Sequence, residues 1–280
     1  MKNLAYTSIC AALLTFTCTS AFAQDYEYHP VLSDRFVLTA GAFKSKNSFK
    51  ISAEGDASNS GREIDFGNSV GVDESSTILN GQLTWKFGQE KKWRLAGQVF
   101  DTESSGEATL KEDVDWNDGT FLTGSSLEGG VDIQVIRAFV GRSLVKTAQT
   151  DIGIGAGLHN LKMGAFLEGE ALLGDGSVEF RESRVNSSQP LPNLGAWYQF
   201  SPRRDWLLHG RVDWISAKVG DLDGTLWNIS AGVNYQFSRH FGADLSFQFF
   251  DLDVGISKND WNGGVNLSYT GPVLSLVGSW

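Results

Sequence analysis

The residues of this sequence most suited to catalysis or to ligand binding are histidine, arginine and aspartate side chains that alternate with large apolar residues. In the segment 206–215, His209, Arg211 and Asp213 fall on one parity, while tryptophan, leucine and valine fall on the other. An imidazole near a carboxylate could transfer protons, and an arginine fork could bind a carboxylate or a phosphate. A surface lined by such groups would suit either acid-base catalysis or the passage of a polar solute.

Catalysis is the weaker of these two interpretations. His209 and Asp213 share a face four residues apart but lie at mid-strand depth, and His159 stands beside Asn160 with no serine or aspartate partner in its segment. The pattern does not bring together a nucleophile, a base and a group that orients the base. We therefore predict that the protein is not an enzyme, needs no cofactor, and uses its histidines in structural or solvated roles.

The acidic segment 112–119, with the sequence Glu-Asp-Val-Asp-Trp-Asn-Asp-Gly, resembles the beginning of a calcium-binding loop. Carboxylates at alternate positions suit a hard cation. However, Gly119 comes one place late for such a loop, and the twelfth position is Gly124 rather than a glutamate. We expect a solvated charge cluster here and no metal site.

Strands rather than helices must position these residues. After residue 24 no apolar run is long enough for a spanning helix, and an alternation of apolar and polar residues recurs instead. In a soluble barrel the apolar face would point inward, whereas in a transmembrane barrel it faces lipid and the polar face lines the lumen. Alternation alone is compatible with both arrangements.

The spacing of aromatic residues decides between them. One set flanks short turns, and a second set lies eight to ten residues further along the strands. Such a separation covers roughly 20–25 Å, which is the height of the apolar band of a transmembrane barrel. The expected membrane-interface aromatics are Trp85, Trp93, Trp206, Trp214, Trp227, Phe237, Phe241, Trp261 and Trp280. The expected lumen-lining side chains are Lys86, Arg94, Arg137, His159, His209, Arg211, Asp213 and Asp244.

The fold predicted is therefore all-β, a single antiparallel transmembrane β-barrel of about ten strands with short turns at one end and longer loops at the other. The strands are expected at 34–54, 76–88, 92–104, 129–145, 148–163, 190–201, 204–219, 223–238, 240–256 and 259–280. Apolar residues change parity within the first and last of these, and we interpret the last change, at Gly271-Pro272, as a one-residue bulge. Splitting both segments would instead give twelve strands.

The amino terminus has the features of a secretory signal peptide. A lysine at position 2, an apolar stretch at 9–16 and the sequence Ala21-Phe22-Ala23 predict a leader of residues 1–23 and a barrel domain of 24–280. Both cysteines lie in that leader, so the exported protein is expected to have no thiol. A formal net charge of -10 argues against a nucleic-acid partner.

The last seven residues, Leu-Ser-Leu-Val-Gly-Ser-Trp at 274–280, alternate apolar residues and end on an aromatic one. This stretch resembles the carboxyl-terminal signal of bacterial outer-membrane β-barrel proteins, although the family usually has a larger apolar residue at the position of Gly278. The resemblance implies insertion into the outer membrane of a Gram-negative bacterium. It implies as partners the barrel assembly machinery, through the strand ending at Trp280, together with outer-membrane lipid and lipopolysaccharide. The acidic loops could bind the phosphates of lipopolysaccharide through bridging divalent ions.

Function is less specified by the sequence than architecture. The leading hypothesis is a porin-like structural role or narrow-pore transport of a small polar solute, because a ten-strand lumen is largely filled by side chains. Gly153, Gly155 and Gly157 share the lumen face and could form a groove, or could relieve crowding opposite Trp197 and arginine. The alternatives are a surface-binding or adhesin role through loops 104–129 and 164–189, and a barrel enzyme, protease or lipid-modifying, since ten strands is also the count of the omptin protease family.

Overall fold

The computed structural model describes residues 29–54, 63–65, 75–110, 114–116, 119–173, 178–219, 222–258 and 261–280. The predicted leader, 1–23, lies outside these residues. One short helix, α1 (Pro30–Ser33), precedes the strands. The strands are β1 (Phe36–Glu54), β2 (Glu63–Asp65), β3 (Ser75–Phe87), β4 (Trp93–Thr109), β5 (Val114–Trp116), β6 (Gly119–Phe121), β7 (Ser126–Lys146), β8 (Thr150–Leu173), β9 (Val178–Arg203), β10 (Trp206–Val219), β11 (Leu222–Gln236), β12 (Phe241–Lys258) and β13 (Trp261–Ser279).

Ten of these strands form a closed antiparallel barrel. Around the barrel the order is β1, β3, β4, β7, β8, β9, β10, β11, β12 and β13, and β13 pairs with β1 to close the ring. The remaining strands, β2, β5 and β6, have three residues each and lie between barrel strands in the chain. The predicted count of ten is confirmed, and closure leaves no free sheet edge at the level of the membrane.

Short connections lie at one end of the barrel, as predicted. A short 3-10 turn at Gln89–Lys91 joins β3 to β4, and two to four residues join β7 to β8, β9 to β10 and β11 to β12. Gly88 begins the first of these turns with a φ of 76°, a left-handed conformation that favours glycine. Both described chain ends, α1 and Trp280, lie at this same end, because Phe36 and Trp280 exchange backbone hydrogen bonds.

The predicted long loops at the other end are shorter than expected. Only residues 174–177 separate β8 from β9, so the predicted loop 164–189 is mostly strand, and the predicted loop 104–129 contains the ends of β4 and β7 as well as β5 and β6. These strand extensions lie beyond the apolar belt described below. Neither face of these extensions contacts lipid, so they do not need the alternation of apolar and polar residues that marks the strand segments within the membrane.

The predicted bulge in β13 is wrong. The pairing of β13 with β12 runs without a shift from Phe241↔Gly278 to Lys258↔Trp261, and the register with β1 is the same on both sides of Pro272. Gly271 instead permits a close approach of two strands, because a Cβ there would lie 2.1 Å from the carbonyl oxygen of Lys44. The parity change that suggested the bulge therefore needs another cause.

An apolar belt surrounds the outside of the barrel. Exposed outward side chains include Leu79, Leu245 and Leu276, with exposed fractions of 72%, 61% and 67%. So large and continuous an apolar surface requires an apolar surrounding, since soluble monomers rarely expose contiguous patches above a few hundred Å². No helix in the described ranges is long and apolar enough to span a membrane.

The belt has a sharp outer limit. On β4 the outward residues change from Val99 to the exposed Asp101, whose carboxylate accepts a hydrogen bond of 3.1 Å from the half-buried Gln134 on β7. On β12 they change from Phe249 to Asp251. Above this level both β8 and β9 continue for more than ten residues, so the barrel wall projects beyond the membrane on one side.

Candidate functional site

All eight predicted lumen-lining side chains point into the barrel, and six of them, all except Lys86 and His159, form ion pairs there. The most deeply buried pair joins Arg137 and Asp213, with 2% and 0% of their side chains exposed and an Nη2 to Oδ1 distance of 2.7 Å. The Asp213 carboxylate also accepts a hydrogen bond of 3.2 Å from Asn193, and Arg211 Nε lies 3.4 Å from its other oxygen. Two cations thus share one carboxylate at the centre of the lumen.

A second network surrounds Asp151, a residue of β8. Its carboxylate accepts hydrogen bonds from Lys146 at 2.8 Å, from the Trp197 indole at 2.9 Å and from Ser143 at 2.7 Å. Arg94 Nη2 lies 3.3 Å from the same carboxylate, and its guanidinium stacks over the Trp197 ring at 3.9 Å. Here too one aspartate compensates two cations, and the arginine is fixed in place by a cation–π contact.

The histidines make contacts that fit structural roles. His209 Nε2 lies 2.6 Å from Asp244 Oδ2, and His240 Nδ1 lies 2.8 Å from the carbonyl oxygen of Ser279 in the short-turn end of the barrel. His159 is 1% exposed, and its ring lies beside the Asn193 side chain in the interior. The structure therefore joins one imidazole to one carboxylate, a pair that by itself lacks a nucleophile.

The row of glycines on β8 is not an open groove. A Cβ at Gly153 would lie 2.1 Å from the Trp197 ring, and one at Gly155 would lie 2.6 Å from the Phe139 ring. The two rings pack edge to face, with centroids 6.1 Å apart. The glycines thus give space to aromatic side chains, which is the crowding explanation and not the solute-path explanation.

The end of the lumen with the short turns is blocked by residues 29–34, which we call the stopper. Its helix α1 buries Val31 and Leu32 against Val37, Leu207 and Val277 of the barrel wall. The side chain of His29 caps the helix, since its Nδ1 accepts a hydrogen bond of 3.2 Å from the Val31 amide.

Basic side chains of the barrel hold the stopper by its free carbonyl groups. The last carbonyls of a helix have no partner within the helix. Here Lys86 donates to the carbonyl of Val31, Lys146 to that of Leu32 at 3.4 Å, and Lys91 to that of Ser33 at 2.5 Å. These three contacts come from β3, the first turn and β7, so the stopper is anchored on one side of the barrel.

An ion pair anchors the stopper on the opposite side. Asp34 accepts two hydrogen bonds from Arg239, at 2.7 and 2.8 Å. Burial raises the pKa of the Asp34 carboxyl, but the hydrogen bonds from Arg239, Ser279 and Ser33 and the charge of Arg239 outweigh it, so the pKa is lowered overall. Burial, with a smaller contribution from Lys86, lowers the pKa of His29 to about 4, which keeps its imidazole neutral at pH 7.

The other end of the lumen is closed by an apolar layer, which we define as the buried apolar side chains at the level of the belt's outer limit. Every barrel strand contributes to it. Its members are Phe43, Ile78, Phe100, Ile133, Val135, Leu161, Leu191, Ile215, Leu226, Phe250, Leu252, Leu267 and Tyr269, none more than 9% exposed. Water filling the bore at this level would leave these side chains accessible, so their burial shows a packed interior.

Three aromatic rings meet across the bore within this layer. Phe100 of β4 contacts Phe250 of β12 edge to face at 5.8 Å, and Tyr269 of β13 lies 6.3 Å from Phe100 and 6.1 Å from Phe250. Because β4 and β12 lie on nearly opposite sides of the ring, their contact spans the lumen. The layer also explains the parity change in β1 and β13, since the interior becomes apolar at the level where the exterior becomes polar.

A polar cavity of about 160 Å³ lies between the stopper and the apolar layer. Its lining includes the charged side chains Lys86, Arg94, Arg211 and Asp244 and several amides and hydroxyls, and Val31 of the stopper contributes to its boundary. The lumen is thus divided into a stopper, a polar middle with space in it, and an apolar layer. The alternating pattern of the sequence predicts the polar middle but neither the stopper nor the apolar layer.

The predicted interface aromatics lie on the outer surface wherever their side chains are described. Trp85, Trp93, Trp206, Trp214 and Trp227 are each 40–41% exposed. Phe237, Phe241 and Trp280 are 50–57% exposed. The side chain of Trp261 lies outside the described residues, and so does most of the acidic segment 112–119. The described residues contain no group of three or more potential metal ligands.

Comparison with solved structures shows the fold. The outer membrane protease OmpT from Escherichia coli aligns with 94% of this chain and 99% of its own, with a TM-score of 0.56 and 10% identity. The transport unit of the autotransporter AIDA-I from Escherichia coli gives a TM-score of 0.42 at 11% identity, covering 98% of this chain and 97% of its own. The Pseudomonas putida toluene transporter TodX gives 0.39 at 7%, covering 91% and 93%.

No protein-family model and no curated protein matches the sequence. The similarity to OmpT is one of backbone architecture and not of sequence. Together with the outward apolar belt, it shows that this chain has the fold of bacterial outer-membrane β-barrel proteins, as its carboxyl terminus suggested.

Proposed function

We propose that the protein is an integral outer-membrane barrel with a closed bore and a structural role in the envelope, formed by residues 24–280 after removal of the leader. The observation that carries this proposal is the apolar layer, to which all ten barrel strands contribute. A polar solute crossing it would lose its hydration without gaining hydrogen bonds. The stopper adds a second barrier at the opposite end.

Packing energetics support a bore that stays closed. Phe250 and Tyr269 are both 0% exposed, and burying a side chain of this size contributes about 1.5–3 kcal/mol. Opening a path would separate several such contacts at once. These contacts support a closed bore over a narrow pore, in which polar side chains would line a continuous water path from one end to the other.

Efflux from proteoliposomes tests this proposal. The refolded protein is inserted into vesicles loaded with a small polar dye, and insertion is verified by the electrophoretic mobility of the folded barrel and by protease protection. We expect efflux equal to that of empty vesicles. The variant Phe100→Gly/Phe250→Gly, which removes two of the three rings that meet across the bore, is expected to leak. Efflux through the unaltered protein would overturn the closed-bore proposal.

A surface-binding role is the second candidate, and one observation favours it. On β9, far above the outer limit of the belt, the outward side chains of Val178 and Phe180 are 54% and 71% exposed. Binding residues often lie on extensions held by a rigid scaffold. Adhesion of cells displaying the protein, compared with cells displaying Phe180→Ser, tests this role. If cells displaying the unaltered protein adhere no better than cells without the protein, and no better than cells displaying Phe180→Ser, this role is excluded.

An enzymatic role has less support. The similarity to a protease is one of fold at 10% identity, and fold does not carry activity with it. The charged side chains described above lie within the lumen, below the apolar layer, and out of reach of a substrate on the cell surface. Turnover of a peptide or of lipid A by the refolded protein would reverse this conclusion.

A further inference from the structure

The cavity between the stopper and the apolar layer has an excess of positive charge around it. The buried or half-buried cations of the described lumen are Lys86, Arg94, Arg137, Lys146 and Arg211, and the buried carboxylates are Asp151, Asp213 and Asp244. Five formal positive charges therefore face three negative ones, and the third carboxylate is already paired with His209. Among the described lumen residues, two formal positive charges are therefore in excess of the carboxylates.

The distribution of the pairs locates this excess. Arg94 and Lys146 share the carboxylate of Asp151, and Arg137 and Arg211 share that of Asp213. In the described part of the chain, Lys86 donates to a backbone carbonyl and has no carboxylate within ion-pair distance. Lys86, Arg94 and Arg211 all line the cavity, so the uncompensated charge lies on its wall.

A buried cation without a partner is costly, and an anion in the adjacent space would offset that cost. We propose that this cavity binds a small oxyanion, of the carboxylate, sulfate or phosphate class, between Arg94, Arg211 and Lys86. Guanidinium groups present planar pairs of N–H donors that match the oxygens of such anions. Arg211 donates from Nη1 to Gln82 at 3.0 Å, and its Nε lies 3.4 Å from Asp213 Oδ2 without forming a hydrogen bond.

The size and position of the cavity restrict the ligand. A volume of about 160 Å³ has room for roughly five water molecules, hence for one small oxyanion with a few water molecules. The apolar layer separates the cavity from the cell exterior. Val31 of the stopper contributes to its other boundary, so the anion would reach the cavity from the end of the barrel with the short turns. A lipid phosphate, which carries acyl chains, would not fit.

Isothermal titration of the full mature chain in a non-ionic detergent and a chloride-free buffer tests the proposal. The probes are inorganic phosphate and succinate, with dihexanoyl phosphatidic acid as the lipid-phosphate arm. We expect saturable binding of phosphate or succinate, weakened at least tenfold by Arg211→Gln. The matched control Lys44→Gln, which removes an exposed outward-facing cation, should leave the affinity unchanged.

Three results of these titrations would overturn the proposal. Absence of saturable phosphate and succinate binding would overturn the proposal, and so would binding with the same affinity in Arg211→Gln as in the unaltered protein. Binding of the lipid phosphate with undiminished affinity in Arg211→Gln would place the site on the outer surface and also overturn it. If Arg211→Gln does not refold, Arg94→Gln provides the same comparison, and the titration of the unaltered protein remains decisive. None of these outcomes depends on whether the barrel conducts.

Discussion

Replacing Asp213 by alanine tests whether the centre of the barrel excludes water. The carboxylate is 0% exposed, its partner Arg137 is 2% exposed, and Arg211 lies within ion-pair distance of it. Removing one partner of a buried ion pair costs about 3–5 kcal/mol, because the remaining charge stays buried without compensation. Two cations lose their carboxylate here, so we expect the upper part of that range.

The assay is unfolding by guanidinium of the protein folded in detergent micelles, followed by tryptophan fluorescence. The control is Asp101→Ala, which removes an exposed carboxylate on the outer surface, and it should cost less than about 1 kcal/mol. The double variant Arg137→Met/Asp213→Leu replaces the pair by apolar groups and should recover at least half of the loss. If Asp213→Ala costs no more than Asp101→Ala, the lumen centre is water-filled and the reasoning fails.

Three further predictions concern packing and the stopper. Phe250→Ala should lower the free energy of unfolding by about 3–5 kcal/mol, and by more than the lipid-facing Phe247→Ala, because acyl chains can fill the space beside the second but not the first. Gly153→Ala should lower the free energy of unfolding by about 1–3 kcal/mol, since its Cβ would lie 2.1 Å from a tryptophan ring. The control Gly81→Ala, whose nearest neighbour would lie at 3.8 Å, should have nearly the same unfolding curve as the unaltered protein. Because burial lowers the pKa of His29 to about 4 from 6.5, docking of the stopper should be strongest above pH 6.5 and weaken as the pH falls toward 4. A spin label in the stopper should gain mobility over that interval, and His29→Asn should abolish the pH dependence; equal mobility at pH 7.5 and 4.5 would contradict it.

The outer surface of the barrel was predictable because lipid imposes a simple rule. Every outward side chain within the belt must be apolar, and Trp206, Trp214 and Trp227 mark where the belt ends. The lumen-facing parity follows by exclusion, and for that reason Arg137 and Asp213 could be placed inside from the sequence. Closure into ten strands followed from the regular recurrence of these segments.

The interior above the polar middle followed a different rule. The parity change in the segment 259–280 suggested a bulge, because we assumed that apolar residues always face outward. In the structure Leu267 and Tyr269 face inward at a level where the outward residues Ser268 and Thr270 are polar. A sequence shows only that apolar residues have changed parity, and a bulge and a change of surroundings produce the same pattern.

The stopper was not predictable from local pattern either. Its four-residue helix is too short for a periodic signal, and its docking depends on side chains more than fifty residues away, such as Lys86 and Lys146. The apparent separation of loops from strands at 164–189 failed for a related reason. Strands that extend beyond the membrane have water on their outer face, so they lose the contrast that marks the strands within it.

Spin labelling along β12 tests the closed interior most directly. The mature chain is expected to have no cysteine, so single cysteines can be placed at successive positions from 244 to 254 and their accessibility to oxygen and to a water-soluble nickel complex measured in lipid vesicles. We predict high oxygen accessibility at 245, 247 and 249, and labels at 250 and 252 that are immobile and accessible to neither reagent. Nickel accessibility at 250 and 252 equal to that of an exposed loop would show a water-filled bore and contradict the account.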